Sequence, residues 1–167
     1  HGRTAWNIVT SLNDTEARNM GRDAVTEHDL RYDRADEFLE VVLGHWDTWE
    51  DDAINLDKAS KSFADPEKVR RLEHEGKFFA SRGPFTVPRS AQGHPVLIQA
   101  GQSTRGQRFA SEWGELIFVG YPNLEIGKAN YAKLKALTAA AGRDPESLQI
   151  ANFFAPIVAA TKDEAED

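Results

Sequence analysis

Cysteine is absent from these 167 residues, so no disulfide framework, thiolate metal site or cysteine nucleophile is available to the chain. That absence suits a reducing compartment, and a cytoplasmic location is expected. No apolar run of about 18 residues occurs, so the hydropathy pattern offers no membrane-spanning helix and no membrane partner is expected. Positive charge is also short: 20 Lys and Arg stand against 27 Asp and Glu, a net charge of −7. A phosphate backbone rewards clustered cations, whereas Lys68, Arg70 and Arg71 are interleaved with Glu67, Glu73 and Glu75. Nucleic acid is therefore not an expected partner. Gly-x-Ser-x-Gly is missing, and the five histidines never fall in His-Glu-x-x-His spacing, which argues against a serine-hydrolase elbow and a zinc-protease helix. No metal site is expected: Glu73-His74-Glu75 has the residue types for weak metal binding, but reads as part of an exposed, charged loop.

What the chain does contain is the stretch Pro95 to Gly106, Pro-Val-Leu-Ile-Gln-Ala-Gly-Gln-Ser-Thr-Arg-Gly. The apolar run Val96, Leu97, Ile98 between Pro95 and Gly101 predicts a strand buried on both faces, and Gln-Ser-Thr opens a helical pattern. Strand, tight turn and helix start together form the geometry of a phosphate site. Gly101 lets the backbone approach an anion, Ser103 offers a cap oxygen and a hydroxyl donor, and the helix N-terminus adds unpaired N–H groups. Ordinary turn chemistry has the same composition, so the stretch alone leaves both readings open.

The rest of the chain is punctuated in the same style. Thr4–Thr10 predicts a strand from its β-branched and aromatic content. Asn7, its one strongly polar interior residue, is either a core amide bonded to backbone or a ligand-facing amide at a strand end. A short helix is expected from Glu16 to Met20. Ala35, Phe38, Leu39, Val42, Trp46 and Trp49 recur at three- and four-residue steps, predicting an amphipathic helix from Asp29 to Trp49 with Thr26 and Asp29 as a capping box. His28 and Tyr32, four apart, share one side of its first turn; the plain alternative is a solvent-facing histidine and a ring at the core edge. Residues 50–94 have weak periodicity and read as a lid or insertion, with a hairpin or a bent pair of short extended pieces expected over 76–87, around Gly83–Pro84. A helix over 103–113, an apolar strand Leu116–Val119, a helix capped by Asn123, an apolar strand region over 148–160 and a last helix start at Lys162 complete the order.

Repeated strand–helix units with fully apolar strands call for an α/β fold, a parallel sheet covered by helices, either doubly wound or closed as a (β/α)8 barrel. About four β-α units with a long insertion, in a single domain over 1–167, fit part of such a TIM barrel, because a whole one takes eight units and roughly 250 residues. In both architectures ligands sit at the carboxyl ends of the strands, where Asn7, the loop before His28 and the Gly101–Ser103 turn would converge.

Trp6-Asn-Ile-Val-Thr-Ser11, Ala17-Arg-Asn-Met-Gly21, His28-Asp-Leu-Arg-Tyr32 with Glu37-Phe38, Trp46-Asp-Thr-Trp49, Arg82-Gly-Pro-Phe85 with Val87-Pro-Arg-Ser90, and Gln99-Ala-Gly-Gln-Ser103 with Gly106 occur in that order. Together they resemble the nitrilotriacetate monooxygenase component A group of the bacterial luciferase-like flavin monooxygenases, over essentially the whole chain. The resemblance implies the C-terminal-side portion of a (β/α)8 barrel that binds reduced FMN supplied by a separate NAD(P)H-dependent flavin reductase. With O₂, such an enzyme oxygenates a small molecule such as an aminopolycarboxylate or a sulfur compound. It also implies cofactor-binding roles for Asn7 facing the isoalloxazine ring, for His28 and Tyr32 in the flavin site with Tyr32 reaching the phosphate, and for Gly101 and Ser103 holding the phosphate, while leaving the catalytic residues unassigned. Met20 stands where the family often has Phe, and the first barrel strands are not represented. The chain opens on His1 rather than Met and is expected to be a segment of something longer, assembling as a homo-oligomer and inactive by itself. Two other expectations stand beside this one: a non-catalytic module holding FMN or the deazaflavin F420, and an inactive half-barrel.

Overall fold

A computed structural model describes residues 2–166. The chain opens with strand β1 (Ala5–Asn7), followed by helices α1 (Asp14–Asn19) and α2 (His28–Trp46). The next passage carries four short strands: β2 (Ile54–Asp57), β3 (Ser62–Ala64), β4 (His74–Glu75) and β5 (Ala80–Ser81). A regular α/β alternation then resumes with β6 (Val96–Gln99), α3 (Thr104–Trp113), β7 (Leu116–Val119), α4 (Leu124–Ala140), β8 (Gln149–Asn152) and α5 (Lys162–Glu166). Strands β1, β6, β7 and β8 form one parallel sheet in that order, with Asn7 opposite Ile98, Ile98 opposite Leu116, and Leu116 opposite Gln149. It is a section of a barrel wall, and these four strands do not close on themselves. No helix among the described residues is long and apolar enough to cross a membrane.

The sheet is covered on one side only. Leu97 packs with Ile8, Tyr32, Leu39 and Phe109 beneath α2 and α3, while Ile117 and Val119 pack with Ala110, Leu134 and Leu148 beneath α3 and α4. The alternate residues Val96 and Phe118 face away from the helices, Phe118 at 48 % exposure. The apolar runs had predicted burial on both faces; among the described residues nothing covers the second face, so side chains of one strand meet two environments.

Local chemistry explains most element ends. Asn123 caps α4 as expected, its Oδ1 accepting the Ile126 N–H at 2.9 Å. Helix α2 departs from expectation, because it starts at His28 and its cap is Glu27, whose carboxylate accepts the N–H groups of Asp29 and Leu30 at 3.1 and 2.9 Å. Thr26 instead accepts a hydrogen bond from Arg22 at 2.8 Å, so the expected capping box does not form. At the other end α2 stops at Trp46, short of Trp49, whose indole N–H donates to the Phe85 carbonyl at 2.8 Å. Strands β1 and β8 are shorter than the expected 4–10 and 148–160, and Phe153, Phe154, Ile157 and Val158 are exposed.

The β4–β5 pair lies along α2 and is held there by Glu37. The Glu37 carboxylate accepts N–H groups from Phe78 at 2.8 Å and Phe79 at 2.7 Å and sits 3.2 Å from His74 Nε2. His74 is thus turned inward rather than solvated, and the hairpin turn is 76–79 rather than Gly83–Pro84. Burial raises the Glu37 pKa, but hydrogen bonding from Phe78, His74 and Phe79 outweighs it and leaves the carboxyl below its ordinary 4.5. A carboxyl depressed by folding stabilises above its unfolded value and stops doing so as pH falls through its folded value. Amide exchange at Phe78 and Phe79 should therefore lose protection, relative to α4, as pH drops below that ordinary 4.5. Unchanged relative protection down to global unfolding would show that Glu37 does not hold this pair.

Candidate functional site

Two segments far apart in sequence meet at the carboxyl end of β6: the first turn of α2 and the turn from Gln99 into α3. Ser103 caps α3, its Oγ accepting the Gly106 N–H at 3.0 Å. The N–H groups of Thr104 and Arg105, in the same first turn, have no intrahelical acceptor. Ser103 Oγ also lies 3.2 Å from His28 Nε2, and His28 Nδ1 lies 2.6 Å from the Asp29 carboxylate. That carboxylate only accepts, so Nδ1 carries a proton toward it, and Nε2 is turned to the Ser103 hydroxyl.

Tyr32 reaches the same place from inside. It is 4 % exposed, with its ring 5.1 Å from His28 and 5.5 Å, edge-on, from Phe109. Its hydroxyl accepts from Gln99 Nε2 at 3.2 Å and donates to no acceptor among the described residues. Gly101 and Gly106 make room for it. A Cβ at Gly106 would lie 2.8 Å from both the Gly101 carbonyl oxygen and the Tyr32 hydroxyl, and one at Gly101 would collide with that hydroxyl. Arg105 stacks over the Tyr32 ring at 5.4 Å, but its charge is matched by Asp36 and by Asp33 at 3.3 Å. The donors left at the site are therefore neutral hydroxyls, backbone N–H groups at the positive end of a helix dipole and the buried, unpartnered Nη1 of Arg105, a set suited to a phosphate monoester.

The structure thus brings His28, Tyr32, Gly101 and Ser103 together. Asn7 stands apart: it is exposed at the carboxyl end of the neighbouring β1 and its side chain makes no hydrogen bond among the described residues.

The profile of the luciferase-like monooxygenases matches residues 1–167. This chain belongs to that family. It is 54 % identical over 157 residues to dibenzothiophene-sulfone monooxygenase of Rhodococcus erythropolis, covering 94 % of this chain and 35 % of the relative. It is 43 % identical over 165 residues to nitrilotriacetate monooxygenase component A of Aminobacter aminovorans, covering 99 % and 36 %. Among solved structures it is similar to a riboflavin lyase crystallised with modified FMN and riboflavin, at 39 % identity and a TM-score of 0.90 over 98 % of this chain and 36 % of that one. The chain spans little more than a third of the length of these luciferase-like relatives.

Sequence reasoning gave no role to Gln99, Gly106 or Phe109. Gln99 had a readable signal: it is the one amide in an otherwise apolar run, two residues from the buried Leu97 and so on the same covered face. Gly106 is a first-turn glycine of α3 whose purpose becomes visible only when Tyr32 is placed against it. Phe109 is core, and its ring also walls the Tyr32 phenol.

Proposed function

We propose that this chain supplies the phosphate grip of a monooxygenase that uses reduced FMN delivered by a separate NAD(P)H-dependent flavin reductase. The free Tyr32 hydroxyl hydrogen, buried against Gly101 and Gly106 at the start of α3, carries this reading, because an unused buried donor calls for an anionic acceptor. Tyr32, Ser103 and the Thr104 and Arg105 N–H groups donate to the phosphate; Gly101 and Gly106 let it approach; His28 orients the Ser103 hydroxyl; and Asn7 faces the ring system. Bound reduced flavin supplies the electrons with which O₂ oxygenates a small organic molecule, and the protein contributes orientation and exclusion of water. The names of the relatives support a sulfur compound or an aminopolycarboxylate as substrate. The open, helix-free face of the sheet at Val96 and Phe118 supports a second element: the 167 residues by themselves are an inactive half-barrel.

The experiment compares FMN with riboflavin, which lacks the phosphate, in the protein at its full natural length. Ser103→Ala and Tyr32→Phe should each weaken FMN about tenfold, as expected for loss of a hydrogen bond to a charged group, and leave riboflavin within about twofold. Equal losses for both ligands would place the phosphate elsewhere.

A further inference from the structure

We infer that Gln99 is a positioning residue that keeps the Tyr32 phenolic hydrogen free for the anion; this deepens, and rests on, the phosphate reading above. Gln99 is 3 % exposed in a strand whose neighbours Leu97 and Ile98 are apolar, a place where an amide is costly unless both its ends are satisfied. Both are. One end meets the backbone N–H of Gly101 and the other meets the Tyr32 hydroxyl.

The identity of each end follows from its partner. A backbone N–H only donates, so the atom facing Gly101 is the amide oxygen, and the nitrogen necessarily faces Tyr32. That N–H donates into a lone pair of the Tyr32 oxygen. A phenol has one hydrogen, and Gln99 offers nothing at this end to accept it; no other acceptor takes it among the described residues. The pairing therefore acts as a polarity lock running from Gly101 N–H to Gln99 oxygen, then from Gln99 nitrogen to Tyr32 oxygen, with the Tyr32 hydrogen left pointing away from Gln99. Met at position 99 would drop both bonds. Glu would keep the bond from Gly101 but accept the phenolic hydrogen, reversing the direction of the chain. A merely structural Gln99 would act through the Gly101 turn alone and would be indifferent to what stands at position 32.

A double-mutant cycle separates these roles in the protein at its full natural length, with FMN and riboflavin as probes. Gln99→Met should weaken FMN about tenfold when Tyr32 is present and about twofold or less in Tyr32→Phe, while riboflavin stays within about twofold throughout. Retained riboflavin binding also reports that the variant is folded. If Gln99→Met fails to fold, Gln99→Glu carries the test. Its added charge acts in both backgrounds, so the extra FMN loss seen only with Tyr32 measures the reversed polarity. An FMN loss of the same size in both backgrounds, or no loss at all, overturns the role of Gln99 while leaving the phosphate reading intact. If Tyr32→Phe and Ser103→Ala spare FMN as well, the phosphate reading itself falls, and this inference with it.

Discussion

Gly106→Ala is expected to weaken FMN by more than about tenfold and to destabilise the protein, against what helix propensity alone predicts. In an ordinary helix interior Ala is better than Gly by about 1 kcal/mol. Here the added methyl lies 2.8 Å from the Gly101 carbonyl oxygen, which is backbone and anchored by the turn, and 2.8 Å from the Tyr32 hydroxyl. Overpacking of that kind costs about 1–3 kcal/mol, so the steric loss outweighs the gain in propensity. Relief requires Tyr32 to retreat or the turn to open, and both movements take donors away from the anion. Thermal melting together with FMN and riboflavin titrations checks this. A stabilised variant with wild-type FMN affinity would mean that the turn is looser than the geometry indicates.

Phe109→Ala is expected to be the most destabilising single change at the site, costing about 3–5 kcal/mol. The ring is fully buried between Leu39, Leu97 and the edge of Tyr32, where α2, α3 and the sheet come together. Its removal leaves a cavity under Tyr32 that the rigid strand–helix packing fills only in part. For a domain of about this size, the loss corresponds to a fall in Tm of roughly 10 °C. FMN affinity should fall with it, because Tyr32 loses the wall that directs its hydroxyl. A shift of Tm under about 3 °C would contradict the packing described, since a site that collapses so completely would not hold Tyr32 in one place.

These residues also show where sequence is informative. The Pro95–Gly106 stretch announces its own structure, because Gly101, Ser103 and the apolar run act through local backbone rules that hold in any fold. Asn123 is legible for the same reason. The cap of α2 was misplaced because Glu27 and Thr26 are both plausible acceptors, and a one-residue difference in the helix start decides between them. Glu37 was unreadable as an anchor: its partners Phe78 and Phe79 lie about 40 residues away and offer backbone N–H groups, which every residue possesses. The two-sided burial expected of Val96–Ile98 failed because an apolar run records what a strand meets in the complete sheet. Four strands provide only the helix-covered side. Gln99 and Gly106 became interpretable only once Tyr32 had been placed, since each matters through a contact with that one hydroxyl.

A crystal structure of the full-length protein with FMN tests the central claim most directly. The account predicts phosphate oxygens within hydrogen-bond distance of the Tyr32 hydroxyl and Ser103 Oγ, at the first turn of α3, with the Gly101 and Gly106 backbone alongside. A phosphate bound at any other strand end, with Tyr32 still bonded only to Gln99, would contradict it.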